Sequence, residues 1–195
     1  MTDLEIRPPT QIATARLVLR TWRPEDAPHL KHAIDSSLEH LRPWLPWAWE
    51  EPSPLEEIAA RLAHFADNFA TGKDWLYGIF TPDERTVIGG TGLHPRIGPD
   101  GVEIGYWIAA QQTGKGYATE VARALTLAVF AFPEIERVEI RCDPQNVASA
   151  SMPRRLGYRQ VETLVAPNAA TAGGSRETMV WRLTRAQFAA QVANI

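Results

Sequence analysis

Gln111-Gln112-Thr113-Gly114-Lys115-Gly116-Tyr117-Ala118-Thr119-Glu120 decides how the rest of the chain is read. It follows an apolar segment, Val102-Glu103-Ile104-Gly105-Tyr106-Trp107-Ile108. It precedes a run in which Ala118, Val121, Ala122, Leu125, Val129 and Phe132 recur at helical spacing. A strand turns here into a helix whose first N–H groups lack partners and carry partial positive charge. Gly114 and Gly116 let the backbone approach an anion with no Cβ between them. A phosphate suits such a turn. A plain strand-to-helix turn, shaped by the same glycines, suits it as well. A P-loop is excluded, because no Gly-Lys-Ser/Thr string with the required spacing occurs. A dinucleotide fingerprint needs three glycines in a parallel βαβ unit, and the strands upstream read as an antiparallel meander.

Working outward, residues 75–80 and 87–93 are short apolar segments separated by Pro82-Asp83-Glu84, and Pro99-Asp100-Gly101 turns the chain into the third strand. Before them, Ser53-Pro54-Leu55-Glu56 reads as a helix start, with Ser53 as N-cap, Pro54 first in the helix and Glu56 third. Leu55, Ile58, Ala59, Leu62, Phe65, Ala66 and Phe69 then keep helical spacing until Gly72 stops them. Residues 16–22 alternate as a half-buried strand, and Pro24-Glu25-Asp26 opens a helix to about residue 37. The proline- and tryptophan-rich stretch 41–49 reads as an ordered loop. On the other side, Pro133-Glu134 closes the long helix and 137–142 is a strand. Residues 146–156 form a short helix ended by Gly157. A last strand pair spans 158–165 and 178–183, with a small-residue loop at 169–175. Seven strands and four helices along residues 1–195 make one mixed α/β domain.

Composition narrows the partners. The 195 residues are 45% hydrophobic and carry a formal net charge of −3 with both signs interspersed. That gives a substantial core and no basic face for nucleic acid. Cys142 is the one cysteine, which excludes an internal disulfide framework and makes a cysteine zinc site implausible. His29, His32, His40, His64 and His94 show no metal-ligand spacing, so no metal is expected. No apolar run approaches ~20 residues and no basic, apolar leader opens the sequence, so no membrane partner and a cytoplasmic location are expected.

Gln111-x-x-Gly114-x-Gly116 resembles the acyl-CoA pyrophosphate motif of the GNAT superfamily of N-acyltransferases. Glu103-Ile104-Gly105-Tyr106-Trp107-Ile108 is similar to the strand preceding that motif. Asn146-x-x-Ser149 with Leu156-Gly157-Tyr158 is similar to the second CoA-contacting helix and its exit. Leu41-Arg42-Pro43-Trp44-Leu45-Pro46-Trp47 resembles a segment of the ribosomal-protein N-terminal (alanine/serine) acetyltransferases. The resemblance implies an α/β (α+β) GNAT-like domain, with a mostly antiparallel seven-stranded sheet splayed between its fourth and fifth strands, 103–108 and 137–142. It also implies acetyl-CoA as donor and co-substrate, an amine acceptor such as a protein N-terminus, and a homodimer.

The same resemblance assigns CoA contacts to Gln111, Gln112, Thr113, Gly114, Lys115, Gly116, Tyr117, Ala118, Thr119, Asn146 and Ser149, and sets the thioester carbonyl against the backbone N–H groups of Ile108 and Ala109. Asn146 equally reads as a plain N-cap. Glu103 is the candidate base, with a paired structural carboxylate as its alternative. The family's acid is a tyrosine at the position of Pro153, which leaves Ser149 as a hydrogen-bond donor to the sulfur or the pantetheine, and Cys142, where a strand leaves the splay, as a residue that could approach the thioester. For Cys142 the alternative is a buried small hydrophobe. Trp44, Trp47, Trp49, Tyr106 and Trp107 are candidates for the acceptor wall, or for a packed satellite core. Arg154 and Arg155 read as exposed helix arginines and stay outside the site. Two functions fit: an acetyl-CoA-dependent N-acetyltransferase, or a CoA-binding sensor or scaffold that has lost catalysis, as Pro153 allows. A nucleotide-binding protein is a third, remoter reading.

Overall fold

In chain order the strands are β1 (Gln11–Ala13), β2 (Val18–Thr21), β3 (Trp75–Phe80), β4 (Val87–His94), β5 (Gly101–Ile108), β6 (Arg137–Cys142), β7 (Arg159–Val165) and β8 (Glu177–Thr184). The helices are α1 (Ala27–Asp35), α2 (Leu38–Leu41), α3 (Leu55–Thr71), α4 (Tyr117–Phe130), α5 (Val147–Arg155) and α6 (Arg185–Val192). This computed structural model describes residues 6–165 and 177–193, so the loop expected at 169–175 lies outside the described residues. The strands form one sheet in the order β1-β2-β3-β4-β5-β6-β8-β7. Every neighbouring pair is antiparallel except β5 with β6.

Eight strands replace the seven expected. The extra one, β1, pairs with β2 through Gln11↔Arg20, Ile12↔Leu19 and Ala13↔Val18. A segment that short shows too little alternation to stand out in a sequence. Helix α3 also starts differently. Its N-cap is Pro54 in extended backbone with no side-chain cap bond. Ser53 is drawn elsewhere: its N–H donates to Glu51 Oε2 at 2.6 Å and its hydroxyl accepts from Arg61 at 3.0 Å. The buried Glu51 carboxylate outcompetes the capping box.

Two cores sandwich the sheet. On one face Val121, Ala122, Leu125 and Val129 of α4 pack against Tyr77, Ile79, Ile104 and Ile140. On the other, Leu30 and Ile34 of α1 with Ile58 and Leu62 of α3 cover Trp22, Phe80 and Val87. Strand β4 is buried on both faces from Val87 to Leu93, which explains why it reads as a continuous apolar and glycine run without alternation.

The pairing of β5 with β6 places the site. Four residues pair in parallel, from Gly101↔Arg137 to Ile104↔Ile140, and pairing then stops. Helix α4 begins beside the open ends, and α5 leaves the end of β6. A gap bounded by two backbones and two helix N-termini is the result, where the splay was expected.

Candidate active site

A cleft of about 660 Å³ runs through this gap. The turn before α4 forms one wall. Gly114 and Gly116 both adopt left-handed backbone, with φ of +74° and +79°. The chain therefore bends so that the N–H groups of residues 114–119 find no acceptor among the described residues, and the first helical acceptor on this side, Gly116 O, takes Glu120 N–H. A run of unpaired donors at a helix N-terminus fits a diphosphate. Gln112, Thr113, Gly114, Gly116, Tyr117, Ala118 and Thr119 all line the cleft. Lys115 does not; its ammonium donates to Gln112 Oε1 at 2.8 Å. Gln111 is also absent from this wall. It borders a separate cavity of about 240 Å³ with His29 and His32.

The turn is latched from the other end of the chain. Glu120 accepts from the Thr14 hydroxyl at 2.6 Å, from Arg16 N–H at 2.9 Å and from Arg16 Nε at 2.7 Å. Arg16 Nη1 also donates to Lys115 O at 3.0 Å, and its guanidinium lies 4.7 Å from the Tyr117 ring centre. Burial alone would raise the Glu120 carboxyl, but these hydrogen bonds outweigh it and hold it below the ordinary value. Because Arg16 is half exposed, the ion pair contributes little by itself. Its effect lies in fixing the turn. Glu120→Ala is expected to raise KM for acetyl-CoA about 5- to 10-fold, roughly 1 kcal/mol, with kcat nearly unchanged, as steady-state kinetics against donor concentration would show.

At the gap itself, Ala109 N–H donates to Ile88 O at 2.9 Å. Ala109 is therefore not the thioester ligand expected, because its donor completes the β4–β5 ladder. The same bond sets the alternation of that antiparallel ladder: the N–H groups of Tyr106 and Ile108 turn away from β4, toward the opening. The Ile108 N–H is thereby left facing the opening.

Helix α5 supplies the far wall. Asn146 caps it, accepting Ser149 N–H at 3.1 Å, and both residues line the cleft. The Ser149 hydroxyl meets the Tyr106 hydroxyl at 2.7 Å. Burial pushes the Tyr106 phenol up to about 12, against a smaller opposing pull from that hydrogen bond, so the group stays protonated. Cys142 is also on the wall, and burial pushes its thiol up, with Trp181 and Ser149 pulling the other way. A thiol held protonated is a poor nucleophile. Cys142 is a wall residue, as its apolar alternative anticipated.

The aromatic residues divide. Trp44, Tyr106 and Trp107 line the cleft together with His40 and Leu41 from α2. Trp47 stands behind, edge-to-face on Trp107 with ring centres 5.9 Å apart. Trp49 points outward; it is 49% exposed and its indole N–H donates to Arg42 O at 2.9 Å. It is not part of the acceptor wall, because Arg42 pins it to the loop. Arg155, set aside as a surface residue, does line the cleft, as do His40 and Arg141. The approach of α2 and α5 to the gap brings in His40 and Arg155, and the parting of β6 from β5 exposes Arg141; no spacing in the sequence encodes either.

Glu103 is 5% exposed and does not line the cleft. Arg96 grips both of its oxygens, at 2.5 and 3.1 Å, and Arg141 lies at 3.4 Å. The paired-carboxylate alternative describes its surroundings.

A family model described as acetyltransferase (GNAT) domain matches residues 16–159. The ribosomal protein uS5-alanine N-acetyltransferase of Escherichia coli (strain K12) is 26% identical over 155 residues, 78% of this chain and 80% of that protein. YdaF of Bacillus subtilis (strain 168) is 30% identical over 149 residues, covering 73% of this chain and 77% of its own. The solved structure of RimL, a ribosomal L7/L12 alpha-N-protein acetyltransferase in complex with coenzyme A, aligns with a TM-score of 0.79 at 21% identity, over 89% of this chain and 97% of that one. The microcin C7 self-immunity acetyltransferase MccE, in complex with acetyl-CoA and AMP, aligns at 0.80 with 17% identity, over 94% and 99%.

Proposed function

From the premise that the chain belongs to the GNAT acetyltransferase family, we propose that it moves the acetyl group of acetyl-CoA to the α-amine of a protein N-terminus, in the cytoplasm. The observation that carries this is the row of unpaired N–H groups at 114–119 beside a gap where β5 and β6 part. The first holds the donor by its diphosphate. The second admits its pantetheine arm and sets the thioester carbonyl against N–H groups that point into the opening.

The preference for an α-amine rests on proton cost. Attack needs a neutral nitrogen. At pH 7 deprotonation costs about 1 kcal/mol for an α-amine of pKa ~7.7–8.0 and about 5 kcal/mol for a lysine of pKa ~10.4. The relatives named for ribosomal-protein acetylation support the same choice. As the C–N bond forms, the C–S bond breaks and its electron pair stays on sulfur. Ser149 is placed to donate a hydrogen bond there, backed by the protonated Tyr106 hydroxyl. This pair does the work of the tyrosine that Pro153 replaces, so catalysis is retained where a mute CoA-binding module was the alternative.

Two results test the reading. Mixing the protein with acetyl-CoA and peptides starting in Ala or Ser is expected to release free thiol in proportion to peptide. Peptides with a blocked N-terminus and a free lysine should release far less. Equal release from both, or none, overturns the acceptor assignment, and CoA binding without any turnover supports the module instead. Ser149→Ala and Tyr106→Phe are each expected to lower kcat about 10- to 100-fold with KM little changed. The double variant should be no worse than the poorer single one, because the two hydroxyls act in series.

A further inference from the structure

The mechanism above leaves the proton on the incoming amine unassigned. Glu103, the candidate from the sequence, has its carboxylate oxygens occupied by Arg96 and faced by Arg141, and does not line the cleft. A different pair of residues lies on the sheet face opposite α4, at the same level of the gap. His94 Nδ1 lies 2.6 Å from Asp74 Oδ1, and the imidazole is largely buried, its side chain 15% exposed. With the carboxylate accepting, Nδ1 carries the proton and the lone pair is left on Nε2. Among the described residues Nε2 has no hydrogen-bond partner.

The place of Nε2 is set by two glycines. Gly92 of β4 and Gly105 of β5 are cross-strand partners. A Cβ added to Gly105 would lie 2.9 Å from Nε2, and one added to Gly92 would lie 3.0 Å from it. A side chain at Gly105 would press on the ring, and one at Gly92 would meet Leu76 Cδ2 at 2.6 Å as well as the ring. A glycine inside a strand costs about 0.5–1 kcal/mol relative to alanine, so the socket is kept at the expense of sheet stability. Gly105 also lines the cleft, one residue beyond the last β5–β6 pairing at Ile104↔Ile140. Trp107, an acceptor-wall residue, lies on the same strand face two positions on. His94 itself does not line the cleft; its Nε2 sits against Gly105, which does, so a carboxylate-oriented imidazole lies directly behind the cleft wall, an arrangement suited to general base catalysis.

We propose that His94, oriented by Asp74, is the general base of the transfer. It takes the proton from the acceptor ammonium, directly or through one water, on the face of the gap opposite α4. The inference rests on the reading of the chain as an amine acetyltransferase. The protons balance as follows. An acceptor ammonium loses one proton to Nε2, which passes it to solvent. Its nitrogen attacks the thioester carbon and loses a second proton as the C–S bond breaks. The sulfur gains one, through Ser149. The products are an amide, a free thiol and one proton in solution.

The charges packed around the ring are few. Asp74 precedes β3. Glu103 of β5 is the cross-strand partner of His94 and is neutralised by Arg96 and by Arg141 of β6. Glu139 of β6, the register partner of Glu103, is held by Arg141 and Arg182. Asp74, which also feels the Arg96 guanidinium, is the acid in direct hydrogen-bond contact with the imidazole.

The test compares the wild type with His94→Gln and Asp74→Asn, using an Ala-initiated peptide and following thiol release. His94→Gln is expected to lower kcat/KM about 100- to 1,000-fold near pH 7. The deficit should shrink below about 10-fold once the pH exceeds the α-amine pKa of ~8, where the acceptor is already neutral. Asp74→Asn should lose about 10-fold, while acetyl-CoA affinity and melting temperature stay near wild type. A loss independent of pH means the pair only ties β3 to β4, and no loss means another group takes the proton; either overturns the proposal. A wild type inactive on every amine counts against the enzymatic reading itself. A second measurement needs no acceptor: in nitrogen NMR of labelled histidines, acetyl-CoA should shift the His94 Nε2 resonance and leave His64 unmoved. An unmoved His94 places the ring away from the thioester and refutes the assignment.

Discussion

Gly116→Val is expected to weaken acetyl-CoA binding at least 100-fold in a protein that still folds. Gly116 sits at φ +79°, where a β-branched side chain is strained. A Cβ there also faces Arg16 Nη2 at 3.6 Å, so the larger side chain presses on the guanidinium that latches the turn. Relief of both lets the turn refold and takes its N–H groups off the diphosphate. Charge-assisted hydrogen bonds contribute about 1.5–3 kcal/mol each, so losing two costs roughly 3–6 kcal/mol, or on the order of 100- to 10,000-fold in affinity. Gly114→Ala is the matched control. A Cβ at Gly114 meets nothing within 4 Å, so only the backbone strain of about 1–2 kcal/mol remains. Calorimetric titration with acetyl-CoA separates the two, and S-acetylpantetheine, which lacks the diphosphate, should not distinguish Gly116→Val from wild type. Equal acetyl-CoA affinity in both proteins would show that the turn is not the diphosphate site.

Asp26→Asn is expected to destabilise the fold by about 3–5 kcal/mol, the cost of leaving a buried charge without its partner. Arg20 is 4% exposed and donates to both Asp26 oxygens, at 2.7 and 2.8 Å. Its Nε reaches Glu84 at 2.6 Å, and its guanidinium lies 4.0 Å from the Phe80 ring centre. Without Asp26 the buried cation keeps the Thr21 carbonyl and, as its one close carboxylate, Glu84, which is itself partly exposed. At about 2–4 °C per kcal/mol for a chain of this size, Tm should fall by roughly 10 °C. Burial alone would raise the Asp26 carboxyl, but its hydrogen bonds to Arg20 and Arg23 outweigh that and hold it below the ordinary value. A carboxyl depressed in the folded state stabilises above its unfolded pKa, and that stability is lost as the pH falls through the folded value. The Tm difference between wild type and Asp26→Asn should therefore be full at neutral pH and shrink as the pH drops below about 4. A difference that stays constant with pH would mean the carboxylate's charge is not what matters.

Most of the turn proposed to hold the donor was legible from local chemistry. Residues 111–119 announce their turn because glycines at fixed offsets and a helical apolar period are contiguous in the chain, and Asn146 announces its cap for the same reason. The acceptor half was not. Trp44, Trp47 and Trp49 are alike in the sequence, yet one lines the cleft, one backs Trp107 and one is pinned outward by Arg42. Glu103 looked like a base because it precedes the turn, but Arg96 and Arg141 bracket it only once β4, β5 and β6 are aligned. In the sequence His94 reads only as a candidate metal ligand and never with Asp74, since the two lie 20 residues apart and meet only through the β3–β4 hairpin.

By itself, then, the sequence determined seven of the eight strands, the main helices, the glycine turn before α4 and the family, because each rests on spacings within a few residues. The tertiary structure decided which N–H groups the ladder consumes, where β5 and β6 separate and which side chains reach that gap. Those outcomes depend on register and packing between segments tens of residues apart, and side-chain type alone carries no information about either.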